Sequence, residues 1–139
     1  MKKIVIGNWK MNPSTLKEAE GLLKIINKKN YKNTDVVICT PFVYISNLSK
    51  IKPSKVALGA QDSHYEETGA FTGEVSAKML AGMKVKYCIV GHSERRAMGE
   101  DNEMCNKKII ALLKNGITPI LCVGEKERDE THRSEERRV

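Results

Sequence analysis

Short runs of β-branched and other apolar residues recur along the chain, separated by polar turns and amphipathic stretches. Their centres lie about 20 to 32 residues apart, which is the size of one strand-helix unit. Several runs are apolar at consecutive positions, as expected of strands that are buried on both faces. The pattern predicts five strands, at residues 3–7, 35–39, 55–60, 86–90 and 118–123.

Two amphipathic stretches have the spacing of a helix with one apolar face. The first carries apolar residues at i, i+3, i+7 and i+10, and the second at i, i+4, i+7 and i+8. These residues are Leu16, Ala19, Leu23 and Ile26 in the first stretch, and Cys105, Ile109, Leu112 and Leu113 in the second. The spacing predicts one helix after the first strand and another before the fifth.

Capping residues mark the ends of both helices. Thr15 and Glu18 have the spacing of a capping box at the start of the first helix. Asp101 can cap the second helix, and Gly116 lies where a residue of left-handed conformation commonly ends a helix. The helix boundaries are therefore set by local chemistry.

Strands that alternate with helices in one direction require a parallel sheet. Doubly wound sheets and (β/α)8 barrels both satisfy this pattern, which does not choose between them. The first strand is followed by neither G-x-G-x-x-G nor a Walker lysine motif, which weighs against a nucleotide-binding fold. In both architectures the chemistry lies at the carboxyl ends of the strands.

The chain has 139 residues, 40% of them hydrophobic, which is enough for one domain with a core. No apolar run reaches the roughly 18 residues that indicate a membrane span. The basic start is followed by an apolar stretch too short for a secretory signal. We expect a cytoplasmic protein without a membrane partner.

Cysteine spacing and net charge narrow the function classes. The four cysteines have no metal-ligand spacing, so we expect reduced, buried thiols and no metal ion. The net charge of +7 could indicate nucleic-acid binding, but aromatic residues make up only 5% of the chain. We expect no nucleic-acid partner and a solvated position for the lysines on the predicted helices, Lys17, Lys24, Lys28, Lys29, Lys107, Lys108 and Lys114.

Polar side chains follow the first predicted strand. Strand alternation directs Asn8 and Lys10 to the side opposite Trp9 and Met11. A lysine and an asparagine that point into a barrel mouth would offer a cation and an amide donor to an anionic ligand. An ordinary polar loop is the alternative.

An imidazole follows the fourth predicted strand. His92 follows that apolar run after a single glycine, Gly91, and the next three residues can start a short helix. The positive end of a helix dipole disfavours an imidazolium, so a neutral His92 could polarise a carbonyl group as a hydrogen-bond donor. Glu94 is the natural partner of a buried Lys10. The alternatives are a structural histidine and an exposed surface glutamate.

Two more features lie at the ends of strands. Cys122 is at the end of the fifth strand without a histidine nearby in the sequence, which favours packing over a nucleophilic role. Residues 69–74 form a polar, glycine-flanked part of the long loop after the third strand. Long loops in compact domains usually bind something.

Four motifs resemble, in order and spacing, those of triosephosphate isomerases: residues 8–12, 69–74, 91–96 and 119–125. Together they span residues 4 to about 128. The resemblance implies an α/β fold, the TIM (β/α)8 barrel, of which the chain holds about the first half, strands 1–5 with helices 1–4. It divides the chain into a partial barrel domain, 1–128, and a charged tail, 129–139, which we expect to be non-native or disordered.

The resemblance also implies roles for the residues of the active site. Asn8 and Lys10 would bind the substrate, and Lys10 would supply positive charge to the phosphate and to the developing enediolate. His92 would be the neutral electrophile that donates to the substrate carbonyl and shuttles a proton between the oxygens. Glu94 would hold Lys10 in place.

Supporting residues follow from the same resemblance. Ser93 would contact the catalytic base in its resting position, and Cys122 would pack beneath that base. The loop with Thr72 would project into a second subunit and support its Asn8 and Glu94, which implies a homodimer. The reaction would interconvert dihydroxyacetone phosphate and glyceraldehyde 3-phosphate without a metal ion or an organic cofactor.

Two departures from the family pattern qualify this expectation. Such barrels have about 250 residues, and the glutamate base, the lid and the glycine-rich phosphate site of the family are absent here, so we expect the chain alone to be inactive. The segment from about residue 127 is rich in Glu and Arg, which suggests a truncated or misjoined reading frame. The alternatives to a triosephosphate isomerase segment are a non-catalytic half-barrel that binds a phosphorylated metabolite, another sugar-phosphate barrel, and a nucleic-acid binder.

Overall fold

The structure, a computed structural model, describes residues 3–51 and 56–124. Strands and helices alternate along this part of the chain. In order, they are β1 (Lys3–Asn8), α1 (Leu16–Lys28), β2 (Thr34–Thr40), α2 (Phe42–Leu48), β3 (Val56–Ala60), α3 (Ala77–Gly82), β4 (Tyr87–Val90), α4 (Ser93–Ala97), α5 (Asn102–Lys114) and β5 (Thr118–Leu121).

The five strands form one parallel sheet in the order β1-β2-β3-β4-β5. A doubly wound sheet reverses its strand order at a switch point, whereas a (β/α)8 barrel adds each strand beside the one before it. The sequential order therefore decides between the two architectures. The sheet curls as the first half of a (β/α)8 barrel, and the predicted fold class is confirmed.

The predicted strands agree closely with the observed ones. Four of them match within one residue at each end, and the fifth ends at Leu121, two residues before the predicted position 123. The start predicted for the third strand, residue 55, lies outside the described residues. So do residue 125 of the last motif and the whole of the predicted tail, 129–139.

The predicted caps are confirmed. The Thr15 hydroxyl accepts from the Glu18 N–H at 3.3 Å, and the Glu18 carboxylate accepts from the Thr15 N–H at 3.1 Å, which completes the capping box. The Asp101 carboxylate accepts from the Met104 N–H at 2.7 Å at the start of α5. Gly116 follows this helix at φ +70°, the left-handed conformation that glycine adopts without strain.

Apolar side chains pack on both sides of the sheet. On β2, Val36 and Ile38 contact the layer of α1 and α2, while Val37 and Cys39 face the other side with Ile89 of β4. This alternation explains the consecutive apolar residues of β2. It does not hold for β1, because residues 4–6 of this edge strand are exposed within the described part of the chain.

Helix α5 departs from its predicted face at two positions. Leu113 was assigned to the apolar face but is 59% exposed. Lys108 was assigned to the solvated surface but is only 3% exposed, and this prediction is wrong. Lys108 lies three residues after Cys105 and four before Leu112, so the helical period places it on the buried face between them.

No helix of the described residues is long and apolar enough to cross a membrane.

Candidate active site

Three side chains predicted from two separate motifs meet at the carboxyl ends of β1 and β4. The Lys10 Nζ lies 2.7 Å from the Glu94 Oε1, and the Glu94 Oε2 lies 3.5 Å from the His92 Nδ1. Lys10 follows β1, whereas His92 and Glu94 lie at the start of α4, directly after β4. Because these strands are parallel, their carboxyl ends share one end of the sheet. The carboxylate of Glu94 is thus paired with the lysine and lies beside the imidazole.

The backbone at Lys10 is held in an unusual conformation. Its φ is +52°, which side chains other than glycine adopt at a cost unless the surroundings impose it. The Asn8 Oδ1 accepts from the Lys10 N–H at 2.9 Å. The Gln61 Nε2 donates to the Lys10 carbonyl at 2.9 Å and to the Cys39 carbonyl of β2 at 3.0 Å. Both polar groups of the Lys10 backbone are therefore bound.

Gln61 was missed by the sequence analysis. It stands directly after β3, at the same kind of position that drew attention to Asn8 and His92, and this position was the available signal.

His92 is the N-terminal cap of α4. Its Nδ1 accepts from the Glu94 N–H at 3.3 Å, and the ring is half-buried. A nitrogen that accepts a hydrogen bond carries no proton, so in this arrangement the ring proton lies on Nε2. The short helix predicted after this histidine is confirmed.

The Glu94 carboxylate is held in its charged form. The hydrogen bond from Lys10, together with the positive charge of that lysine, lowers the pKa of Glu94 below its ordinary value. The Lys10 and Glu94 side chains are 56% and 57% exposed, so solvent screens their pairing. The pair therefore orients Lys10 more than it stabilises the fold.

Beneath this end of the sheet lies a buried charge cluster of Asp62, Arg95, Glu100 and Lys108. The Lys108 Nζ donates to the Asp62 Oδ1 at 2.6 Å and to the Glu100 Oε2 at 3.0 Å. The Arg95 Nη2 lies 2.6 Å from the Asp62 Oδ2, and the Arg95 Nε lies 3.4 Å from the Glu100 Oε2. Two cations and two carboxylates thus balance one another; Asp62, Glu100 and Lys108 are buried, whereas the Arg95 side chain is 39% exposed.

The pKa values of the two carboxylates in the buried charge cluster are shifted in opposite directions. Burial raises the pKa of Asp62, and the nearby Lys108 and Arg95 only partly oppose this rise. Burial also acts to raise the pKa of Glu100, but the hydrogen bonds from Lys108 and from the Gly91 N–H outweigh it, so this pKa is lowered. Burial acts to lower the pKa of Lys108, but its two carboxylate partners raise it overall.

The remaining predicted residues lie at different depths. Cys122 is half-buried on the inner face of the sheet, beside Val37, Cys39 and Ile89, and burial raises its pKa. Burial also raises the pKa of Cys39 to about 12. Neither thiol is activated as a nucleophile by its surroundings.

Ser93 and Thr72 are both exposed. Ser93 is the first residue of α4, next to His92. Thr72 lies in a turn of the loop between β3 and α3. Across residues 3–51 and 56–124, no group of three or more His, Cys, Asp or Glu side chains is arranged to hold a metal ion.

Comparison with known proteins gives one family. The family model described as triosephosphate isomerase matches residues 3–139. The triosephosphate isomerase of Bacteroides fragilis is 48% identical over 129 residues, which cover 89% of this chain and 51% of the relative. Those of Aquifex aeolicus and Hahella chejuensis are each 45% identical, over 93% and 97% of this chain and 53% and 56% of the relatives.

The chain thus spans about half the length of the curated relatives it matches. The model match covers nearly every residue of the chain, and it includes all the residues that meet at the carboxyl ends of β1 and β4. The chain belongs to the triosephosphate isomerase family.

Proposed function

We propose that this chain carries the electrophilic half of a triose-phosphate isomerase active site. The reaction interconverts dihydroxyacetone phosphate and D-glyceraldehyde 3-phosphate by proton transfer through an enediolate. The observation that carries the proposal is the convergence of Lys10, Glu94 and His92 at the carboxyl end of the sheet, with Lys10 paired to the Glu94 carboxylate and the His92 Nδ1 bound by the Glu94 N–H. This is the end at which (β/α)8 barrels perform their chemistry.

His92 acts as the electrophile in this proposal. With Nδ1 engaged by the Glu94 N–H, the proton on Nε2 can be donated to the substrate carbonyl and then passed between the two substrate oxygens. A neutral histidine electrophile is known in this family, so that role is carried over from the family.

Lys10 and Asn8 bind the anionic substrate. The Lys10 ammonium is solvent-accessible and oriented by Glu94, so it can approach the phosphate and the negative charge of the enediolate. The Asn8 Oδ1 is engaged by the Lys10 N–H, which turns its amide NH2 group toward other acceptors. Cys122 packs beneath the base, and Ser93 contacts the base in its resting position.

The catalytic base is supplied by the part of the relatives that this chain does not span. General base catalysis contributes on the order of 10² to 10⁴ to a rate. The isolated chain therefore binds the substrate without turnover above background. A non-catalytic half-barrel that binds a phosphorylated metabolite is the second candidate, favoured by the solvent-accessible Lys10 ammonium, which suits an anionic ligand.

Calorimetric titration with phosphoglycolate, a small phosphorylated carboxylate that resembles the enediolate, tests the proposal. The 139-residue chain should bind it, and Lys10→Met should weaken the affinity by about tenfold or more. Lys17→Met, which removes an exposed lysine of α1, is the matched control and should leave the affinity unchanged. Absence of binding, or equal loss in both variants, would refute the proposed site.

Addition of a polypeptide containing the missing half distinguishes the two candidates. Appearance of isomerase activity in the mixture supports the isomerase. Binding that persists without turnover in the mixture supports the metabolite-binding half-barrel.

We also propose a cytoplasmic homodimer in which the loop with Thr72 reaches the active site of a second subunit. The exposure of residues 68–74 supports this, since a long polar loop at the surface is available for a partner. The four free cysteines suit a reducing compartment. Thr72→Arg should lower both the dimer fraction in sedimentation and the affinity for phosphoglycolate; unchanged values would refute the role of this loop.

A further inference from the structure

Gly91, the residue before His92, is bound at both of its backbone polar groups. Its N–H donates to the Glu100 Oε1 at 2.7 Å, and its carbonyl accepts from the Arg96 Nε at 2.8 Å. Its φ is +70°, and a Cβ there would lie 2.8 Å from the Arg96 Nη2 and 3.0 Å from the Cys105 Sγ. The turn that leads into His92 is therefore fixed by its surroundings.

The Glu100 carboxylate is itself immobilised. Its side chain is 2% exposed, and its Oε2 accepts from the Lys108 Nζ at 3.0 Å while its Oε1 receives the Gly91 N–H. The Cys105 thiol also donates to Oε1, at 3.4 Å. With separate donors on its two oxygens, the carboxylate cannot rotate without breaking a buried hydrogen bond.

We infer that Glu100 is a positioning residue for His92 and acts through the Gly91 backbone. The Nδ1 of His92 is an acceptor only while the ring faces the Glu94 N–H, and the direction of the ring depends on the backbone that leads into it. Glu100 fixes that backbone from inside the protein. The positioning role rests on the proposed function, because it concerns the electrophile of that reaction.

Asp62 provides a control that distinguishes the positioning role of Glu100 from a general loss of charge balance in the buried charge cluster. It belongs to the same buried charge cluster and pairs with the same Lys108 and Arg95, each at 2.6 Å. The hydrogen bond to the Gly91 N–H comes from Glu100, at 2.7 Å, and not from Asp62. Loss of the Asp62 charge therefore perturbs the cluster but leaves the hydrogen bond that fixes the His92 turn.

The experiment is ¹⁵N NMR of the imidazole of His92 in the 139-residue chain, with its signals assigned by their loss in His92→Gln. In the unmodified chain, the ¹⁵N signals of the two ring nitrogens should be well separated, because Nε2 is protonated and Nδ1 is not. In Glu100→Gln, a single acceptor oxygen remains for two donors on opposite sides, the Gly91 N–H and the Lys108 ammonium. The turn that leads into His92 is then no longer fixed, so the ¹⁵N signals of the two ring nitrogens should move toward each other. Asp62→Asn should leave them in place.

A double variant distinguishes the loss of positioning in Glu100→Gln from a simple failure of that variant to fold. In Glu100→Gln/Lys108→Met, the Gln oxygen has no competing ammonium and can accept from the Gly91 N–H again. The ring signals should then return toward their original separation. Unchanged signals in Glu100→Gln, or equal changes in Asp62→Asn, would overturn the positioning role, as would a double variant that folds without this return.

The outcome of this NMR experiment is independent of the phosphoglycolate titration that tests the proposed function. If phosphoglycolate does not bind while the ring signals respond as expected, the proposed function fails and the structural coupling stands. If phosphoglycolate binds but the ring signals ignore Glu100→Gln, the function stands and the positioning role fails.

Discussion

Lys10 combines an exposed charge with a fixed backbone. Its ammonium is exposed to solvent and can contact a ligand, while it is also paired with the Glu94 carboxylate. Its backbone is held by hydrogen bonds with Asn8 and Gln61. A free lysine would lose side-chain entropy when it binds an anion. Most of that ordering is already present here, so the charge is preorganised.

Gln61→Glu should weaken this preorganisation with little change in shape. The carboxylate cannot donate to the carbonyls of Lys10 and Cys39, and it places negative charge against them. We expect the affinity for phosphoglycolate to fall about tenfold, equivalent to roughly 1.4 kcal/mol. Calorimetric titration measures this change.

Asn115→Asp is the matched control for Gln61→Glu. The Asn115 Nδ2 also donates to a backbone carbonyl, that of Ala111, at 2.9 Å, but at the end of α5. It should leave the affinity unchanged. Equal affinities for the Gln61→Glu variant and the unmodified chain would contradict the expectation.

Residues of the site were predictable from sequence where a polar side chain directly follows an apolar run. Asn8, Lys10 and His92 were found in this way. Asp62 and Glu100 were missed because their partner, Lys108, is 46 residues from one and 8 from the other. Only the folded chain brings them together, although the helical period alone could have placed Lys108 on the buried face.

At the scale of elements, the start of α5 depends on one carboxylate. Asp101→Ala removes the acceptor of the Met104 N–H, which should lower the free energy of unfolding by about 1 kcal/mol. Urea denaturation followed by circular dichroism measures this change. Asp101→Asn keeps an acceptor oxygen and should retain most of the stability; a loss equal to that of Asp101→Ala would contradict the capping role.

The buried charge cluster, which joins α4 and α5, makes stability depend on pH. The lowered pKa of Glu100 means that its ionised form stabilises the fold at neutral pH, and this contribution is lost as pH falls below about 4.3, the ordinary value for glutamate. Glu100→Gln should therefore be clearly less stable than the unmodified chain at neutral pH. The difference should shrink in acid, as urea denaturation at several pH values can measure.

The contribution of Asp62 to stability should change with pH in the direction opposite to that of Glu100. The raised pKa of Asp62 means that its stabilising contribution is complete below about pH 3.9 and is lost as pH rises through the folded value. The stability of the unmodified chain relative to Asp62→Asn should therefore improve on acidification. Parallel pH profiles for the two variants would contradict the assignment of the pKa directions.

The elements themselves were largely predictable, because consecutive apolar residues identify buried strands and caps identify helix ends. The short helices α2 and α3 were not delimited, since seven and six residues are too few to show a clear apolar stripe. Lys108 of α5 was predicted wrongly for a different reason: it is a charged residue on a buried face, and its charge is neutralised by Asp62 and Glu100, which lie in the loops after β3 and before α5.

At the scale of the whole molecule, both outer strands carry exposed apolar side chains. Val5 lies on β1, and Leu121 and Val123 lie at and after the end of β5. In the part of the chain that the structure describes, β1 and β5 each have one neighbouring strand, so one edge of each is open. Open, apolar edges favour pairing with other chains.

We expect the 139-residue chain to associate through these edges. Sedimentation velocity should show dimers or larger species, and Val5→Lys should raise the monomer fraction because a lysine blocks edge pairing. Ile110→Lys, at an equally exposed apolar position of α5, is the control and should have little effect. A sharp monomer peak for the unmodified chain would contradict this expectation.

The sequential order of the sheet also has a kinetic consequence. Each strand from β2 to β5 pairs with the one made just before it, so among the described strands no pairing waits for a distant segment. Contacts between near neighbours in sequence favour rapid folding, because little loop entropy is lost before they form. A chain of this topology can therefore begin to fold while it emerges from the ribosome, one strand-helix unit at a time.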